Sequence, residues 1–179
     1  MTRYVALLYS IVLTPEKRVS TADLVGIADA AGFSTPKTLL ATGNLLFEAP
    51  DQDESTLERK LEAAFEARFA KPVPIIVRRA DDWLTLVAGN PFPEASTRDG
   101  KLVAVRVQRD RLKAEAVEQL MPLLETGEEI QVVDGNLWAS FPVQRSTTRL
   151  LRAMTPRRLG IGTLRNWNTV RRIGEALGG

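Results

Sequence analysis

The sequence predicts an α+β protein built from two ferredoxin-like (split βαβ) halves in tandem, the second of which ends in basic helices. Strand-like and helix-like segments follow one another in the same order in both halves, and this is the order of a ferredoxin-like unit. The turn sequence Gly-Asn-Leu occurs at residues 43–45 and again at residues 135–137, which indicates an internal duplication. A length of 179 residues suits one large domain or two small ones. We place the two halves at residues 1–95 and 96–179, with one compact domain as the alternative.

Four β-type runs and three helical patterns make up the first half. Its strands are predicted at residues 4–9, 37–41, 45–48 and 73–78. Capping boxes that begin at Ser20 and Ser55 start the first two helices, which end at Gly32 and ahead of Pro72. Two acidic residues at the positive end of residues 81–88 favour a third, short helix. A loop then continues to about residue 100.

The second half repeats this order with one strand fewer. Strands are predicted at residues 102–107, 129–133 and 137–141, the last two joined by a Gly- and Asn-containing turn. Apolar residues at helical spacing predict helices at residues 110–124, 146–154 and 163–177. A closing strand is missing, and the basic helices stand in its place.

The composition excludes several classes of chemistry. Histidine and cysteine are both absent, which rules out disulfides, Cys/His metal sites, thiol nucleophiles and histidine acid–base catalysis. No phosphate-binding loop, dinucleotide fingerprint or clustered carboxylate ligand set is present. We therefore expect no metal and no cofactor, and the sequence leaves open whether the protein is an enzyme. No apolar stretch approaches the ~20 residues that cross a bilayer, so we expect no membrane partner and a cytoplasmic location.

The charge of the chain is concentrated at its end. Residues 141–179 contain eight arginines and one acidic residue, whereas residues 1–140 carry a net charge of −5. The planar guanidinium matches phosphate, which favours nucleic acid or a phosphorylated small molecule as partner. An acidic patch on the same chain, or salt, would serve equally well, and a general bias towards arginine is a further explanation. The candidate anion-binding residues are Arg145, Arg149, Arg152, Arg157, Arg158, Arg171 and Arg172, and the first three share one face of the predicted helix.

A second candidate site groups a cation, two amides, a hydroxyl and an indole within five residues. Such a set can bind a phosphate, a carboxylate or a base edge, with the indole as a stacking plate. The structural alternative is that these residues cap the last helix and anchor it in the core. The residues are Arg165, Asn166, Trp167, Asn168 and Thr169. Thr42 and Asn44 are further ligand-binding candidates, although a turn that fixes hairpin register explains both.

Several segments together resemble the domain-of-unknown-function family 1697, a group of small bacterial α+β proteins. They are YVALL (residues 4–8), ADLVGIADAAGF (22–33), TLLATGNLLFE (38–48), NPFP (90–93) and GTLRNWNTVRRI (162–173). The resemblance implies two ferredoxin-like halves and implies no activity, because the family has none established. Residues 9–16 depart from the family's Arg-Gly-Ile-Asn segment and glycine-rich loop, whose uncovered N–H groups would suit an anion.

Three hypotheses about function follow. The first is a non-catalytic module that binds an anionic partner, nucleic acid or a phosphorylated molecule, through the arginine-rich C-terminal region. The second is an enzyme acting on a small anionic metabolite in the cleft between the halves, oriented by Arg165 and Asn168. The third is a scaffold that has lost its ligand site. The oligomeric state is left open.

Overall fold

A computed structural model describes residues 1–9, 12–14, 17–40, 43–144 and 147–178. The chain divides into two compact units: unit 1 comprises Met1–Leu84 and Ile173–Gly179, and unit 2 comprises Thr85–Arg172. Each unit contains one four-stranded sheet in which all neighbouring strands are antiparallel. The predicted α+β class, with helices in both halves, is therefore confirmed.

Unit 1 has the strand order β4-β5-β1-β6 in its sheet, and β2 and β3 form a separate two-stranded hairpin. Its elements are β1 (Thr2–Leu8), β2 (Val12–Thr14), β3 (Lys17–Arg18), α1 (Thr21–Ala30), β4 (Ser34–Thr38), β5 (Asn44–Ala49), α2 (Glu54–Phe69) and β6 (Ile75–Arg79), followed by α3 (Ala80–Ala88).

The helices of unit 1 cover one face of this sheet. Apolar residues at helical spacing in α1 and α2 meet alternate residues of β1, β5 and β6, so one hydrophobic core forms between the two layers. The rings of Phe33 and Phe47 stack with centroids 4.4 Å apart, and Tyr4 stacks on Phe47 at 5.5 Å. The core therefore fixes α1 and α2 on the sheet.

The ends of the first two helices test the capping predictions. Ser20 and Asp23 form the predicted capping box on α1, and Gly32 follows the helix with a φ of 78°. The predicted box at Ser55 is wrong, because α2 begins two residues earlier. Its cap is Asp53, whose carboxylate accepts hydrogen bonds from the Thr56 N–H (2.8 Å) and from the Ser55 hydroxyl (2.6 Å).

Unit 2 has the strand order β10-β7-β9-β8 in its sheet. Its elements are α4 (Pro93–Arg98), β7 (Val103–Gln108), α5 (Ala114–Glu118), a 3-10 turn (Met121–Leu123), β8 (Glu129–Val133), β9 (Asn136–Ser140), α6 (Arg149–Ala153), α7 (Pro156–Leu159) and β10 (Gly162–Asn166), followed by α8 (Trp167–Gly178). Leu120, Leu150 and Leu159 pack with the sheet residues Ala104, Leu137 and Ala139 and with Phe141, which directly follows β9. The predicted turn between β8 and β9 is present, and it has positive φ at Asp134 and Gly135.

The closing strand that the sequence analysis judged missing is present. It is β10, which pairs antiparallel with β7 from Gly162 opposite Gln108 to Asn166 opposite Ala104. The helix predicted at residues 163–177 therefore starts only at Trp167, four residues later. The alternation of buried and exposed residues along β10 is that of a strand, and the apolar helical spacing belongs to α8 alone.

Two other helix predictions in the second half are too long. The predicted helix at residues 110–124 is reduced to α5 and the 3-10 turn, because Pro122 lacks the N–H that an α-helix needs. The predicted helix at residues 146–154 begins only at Arg149, after its cap Thr148. The predicted loop from residue 89 to about residue 100 contains α4.

The described residues provide neither a membrane-spanning helix nor a cluster of metal-binding side chains. Among the helices in the described residues, none has the length and apolar character needed to cross a membrane. The same part of the chain holds no group of three or more Asp or Glu side chains arranged to bind a metal ion.

Candidate functional site

Helix α6 presents two arginines to solvent. The Thr148 hydroxyl accepts a hydrogen bond from the Leu151 N–H (3.1 Å) and so begins the helix. Leu150 is fully buried in the core of unit 2, which fixes the orientation of the helix on the sheet. With Leu150 inward, Arg149 and Arg152 lie three residues apart and are both exposed.

Helix α7 presents two further arginines. It starts with Pro156, whose fixed φ suits the first helical position, and ends at Gly160, which has a φ of 74°. Leu159 is buried in the same core as Leu150, whereas Arg157 and Arg158 are exposed. We call Arg149, Arg152, Arg157 and Arg158 the arginine surface.

A buried polar network in β7 holds the end of α7. The guanidinium of Arg106 donates to the Gly160 carbonyl (2.8 Å) and to the Gln108 side-chain carbonyl, and the Gln108 amide donates to the Leu159 carbonyl (2.7 Å). Arg106 and Gln108 are 2% and 1% exposed. A cation is thus placed at the negative end of α7, and Arg106 and Gln108 each satisfy one carbonyl that the helix leaves open. The backbone that carries Arg157 and Arg158 is therefore held to the sheet.

Among the described residues of unit 2, acidic side chains do not pair with the arginine surface. In the part of unit 2 that the structure describes, no carboxylate forms an ion pair with any of its four guanidinium groups. Glu125 lies nearby, but its carboxylate accepts from the backbone N–H of Arg149 (3.3 Å). Neither α6 nor α7 contains an acidic residue.

The remaining arginines of the predicted anion surface lie elsewhere. Arg171 and Arg172 are exposed on α8, a different helix. Arg145 lies outside the described residues, as does Thr42. The expectation that Arg145, Arg149 and Arg152 share one face of a helix falls partly outside the described residues, and α6 itself begins at Arg149.

The second candidate site begins with a buried cation. Arg165 lies in β10 with 9% of its surface exposed. Its guanidinium donates to the Thr163 hydroxyl (2.7 Å) and to the Leu164 carbonyl (2.9 Å). Burial lowers the pKa of Arg165 to about 10, so the side chain remains cationic at neutral pH.

The next residues of this site build the junction between β10 and α8. The Asn166 side-chain carbonyl accepts from the Thr169 N–H (3.0 Å), which is a helix cap. Trp167 lies against Trp138, with ring centroids 6.1 Å apart. A Cβ built on Gly100 would meet the Asn168 amide at 2.1 Å, so Asn168 packs on the Gly100 backbone. These contacts fit the structural alternative, and ligand binding by this cluster stays a prediction.

The two turn asparagines support their hairpins. Asn44 is fully buried, and its amide donates to the Leu39 carbonyl (3.0 Å). Asn136, at the corresponding position of unit 2, accepts from the Gln108 N–H through its side-chain carbonyl (3.0 Å). The Asn44 side chain therefore connects the start of β5 to Leu39, and the Asn136 side chain connects the start of β9 to the end of β7.

The sequence analysis did not single out Arg106 or Gln108. The signal was present, because they alternate with three valines in the strand VAVRVQ, a pattern that is typical of a strand with one exposed face. In the structure all six residues of β7 are buried. A search for polar residues in the predicted central strands would have identified Arg106 and Gln108.

The fold and the arginine surface define an α+β protein with two antiparallel sheets and an exposed cationic region on short helices. The model of a protein family described as "Protein of unknown function (DUF1697)" matches residues 1–138. The chain belongs to this family, and the resemblance found in the sequence is confirmed. The arginine surface lies beyond the matched residues.

One solved structure extends the comparison to the whole chain. The conserved bacterial protein SP0830 from Streptococcus pneumoniae is similar to 100% of this chain over 99% of its own, with a TM-score of 0.75 and 22% sequence identity. At this identity the likeness shows a shared fold alone. No curated protein matches the chain.

Proposed function

We propose that this protein is a non-catalytic module that binds a phosphate-bearing polyanion through the arginine surface. The observation that carries the proposal is the combination of four exposed guanidinium groups with no ion-pair partner in the described part of unit 2. Guanidinium groups remain charged at neutral pH and donate paired hydrogen bonds that match phosphate oxygens.

The anchoring of α6 and α7 favours a binding role for the exposed arginines. Leu150 and Leu159 fix α6 and α7 in the core, and Arg106 and Gln108 hold the end of α7. Preformed helices reduce the conformational entropy that binding would otherwise cost. Arg149 and Arg152 lie three residues apart on α6, a spacing at which like charges repel each other, and a polyanion relieves that repulsion.

The proposed role is non-catalytic because the arginine surface carries no group suited to acid–base or nucleophilic work. Arginine does not release its proton near neutral pH. The hydroxyl residues directly before the two helices are Thr148, which is buried and caps α6, and Thr155, which is exposed just before α7. Neither α6 nor α7 contains a carboxylate, a lysine or a tyrosine that could act as a base for either hydroxyl.

The test is a fluorescence-anisotropy titration of a labelled polyanion, such as a nucleic acid, at low salt. The variant R157Q/R158Q removes two charges from α7, and R98Q/K101Q removes two exposed charges from elsewhere in unit 2. With about 1.5 kcal/mol or more per charged hydrogen bond, the first variant should weaken binding by tenfold or more. The second should leave the Kd within about twofold of the wild-type value. Equal losses in the two variants would overturn the proposal.

We also propose that the two sheets are ferredoxin-like units that arose by internal duplication. Numbered within each unit, the sheet strands follow the order fourth, first, third, second in both, and Asn44 and Asn136 each begin the third strand. An experimental structure in which the two sheets and their helices superpose would support this, and unrelated helix placements would contradict it. A nucleic-acid partner would also agree with the cytoplasmic location expected from the sequence.

A further inference from the structure

The aromatic side chains of unit 2 are packed against other protein groups. Unit 2 contains four, and none of them belongs to the exposed residues of the structure. Two retain almost no exposure: Trp138 at 1% and Phe141 at 7%. The other two, Phe92 and Trp167, are half-buried and lie outside α6 and α7.

Trp167 is the aromatic residue that the sequence analysis considered as a stacking plate. One side of its indole meets Trp138, and the Gly100 backbone approaches so closely that a Cβ there would lie 3.2 Å from the Trp167 ring. Its ring is therefore used in packing. Phe92 precedes α4, and its N–H donates to the Asn90 side chain (2.9 Å), which places it in a local turn.

Proteins that bind single-stranded nucleic acids combine a positively charged groove along the backbone with exposed aromatic rings on which the bases stack. The arginine surface offers guanidinium groups and no aromatic ring. Its chemistry therefore suits the phosphate backbone and offers splayed bases no aromatic platform.

The short helices also limit the reading of base sequence. Recognition in the major groove uses a helix that lies along a groove about 12 Å wide. Helices α6 and α7 have five and four residues, which corresponds to about 7.5 and 6 Å of helix. The exposed side chains of α6 and α7 that can form hydrogen bonds are arginines alone. Because neither helix is long enough to lie along the groove and present several side chains to base edges, we expect contacts to the phosphate backbone to dominate.

We infer that the polyanion is double-stranded nucleic acid, held by its backbone phosphates without sequence preference. This inference rests on the proposed function and names its partner. The higher charge density of the duplex favours it as the partner. For each phosphate contact, the logarithm of the binding constant falls by about 0.9 per tenfold rise in salt for duplex DNA and by about 0.7 for a single strand. If the duplex and the single strand each make four phosphate contacts and bind equally well at 1 M salt, the duplex binds about tenfold more tightly than the single strand at 50 mM salt.

The test is a competition experiment on the full chain with a labelled duplex DNA of arbitrary sequence at about 50 mM salt. The competitors are the unlabelled duplex, a duplex of unrelated sequence, either single strand alone, a duplex RNA and inorganic phosphate. We expect the two DNA duplexes to compete within about twofold of each other and the single strands about tenfold more weakly. The RNA arm shows whether the duplex partner is DNA, RNA or both.

The outcomes separate this inference from the proposed function. A single strand that competes as well as its duplex, or a tenfold preference between the two DNA sequences, overturns the inference and leaves polyanion binding intact. Absence of any polyanion binding at low salt overturns both. Duplex binding that R157Q/R158Q weakens and R98Q/K101Q does not weaken assigns the duplex to the arginine surface.

Discussion

Replacement of Gln108 by leucine should destabilise unit 2 by breaking the network under α7. Gln108 is 1% exposed, and its amide bridges the Arg106 guanidinium and the Leu159 carbonyl. Leucine has a similar size and no polar atoms. The substitution therefore leaves a buried guanidinium N–H and a buried carbonyl each without this partner.

The two lost bonds set the size of the effect. The neutral bond to Leu159 contributes about 1 kcal/mol, and the bond from the Arg106 guanidinium contributes about 1.5–3 kcal/mol. Better burial of the leucine side chain offsets part of this loss. We expect the free energy of unfolding to fall by about 2–4 kcal/mol for Gln108→Leu.

Urea unfolding followed by tryptophan fluorescence and circular dichroism measures this change. With an m-value of about 1–3 kcal/mol per molar urea, the midpoint should fall by about 1 M or more. The control is Gln131→Leu, which makes the same chemical change at an exposed position of β8 and should stay within about 0.5 kcal/mol. Equal midpoints for the two variants would refute the reasoning.

Two further predictions concern helix α6 and the first helix. Thr148→Ala removes the cap of α6 and should lower the free energy of unfolding by about 1 kcal/mol, whereas Thr147→Ala, at the exposed neighbouring residue, should change it little in the same urea experiment. Hydrogen bonds from the Ser20 N–H and from Arg68 lower the pKa of Asp23 from 3.8 to about 2, so its stabilising effect is complete above about pH 4 and is lost as pH falls towards 2. A carbon-13 NMR titration should show this low pKa and a rise towards 3.8 in Arg68→Gln, and an unchanged pKa would contradict the assigned cause.

Much of the fold was predictable because strands and helix ends carry local signals. The apolar strands β1, β5, β6, β7 and β9 were placed within about two residues, since continuous apolar runs between turns are typical of central strands. The capping box at Ser20 and the turn at Asp134 and Gly135 were predicted because each depends on a few adjacent residues.

The errors arose where several local signals compete. Strand β10 is short and lies directly before α8, and the apolar spacing of the helix, which begins at Trp167, does not mark where the strand ends. The helix predicted at residues 110–124 followed its leucines and passed over Pro122, which permits only a 3-10 turn there. At α2 the choice between Asp53 and Ser55 as cap depends on backbone angles that the sequence does not specify.

The candidate site was predictable in part. An excess of arginine identified the residues of the arginine surface, because charge can be counted along the chain. Counting charges could not show that Arg157 is exposed and Arg165 is buried. That difference arises because Arg157 lies in a surface helix and Arg165 lies in a sheet strand. Arg106 and Gln108 hold carbonyls that lie more than fifty positions further along the chain. Local sequence patterns do not show contacts between residues so far apart.

The most direct measurement of the central claim is the salt dependence of duplex binding by the wild-type protein and by R149Q/R152Q/R157Q/R158Q. Four phosphate contacts predict that the slope of log Kd against log salt is smaller in the variant by about 3.6. Equal circular dichroism spectra would show that both proteins are folded. An unchanged slope in the folded variant would contradict the assignment of phosphate binding to the arginine surface.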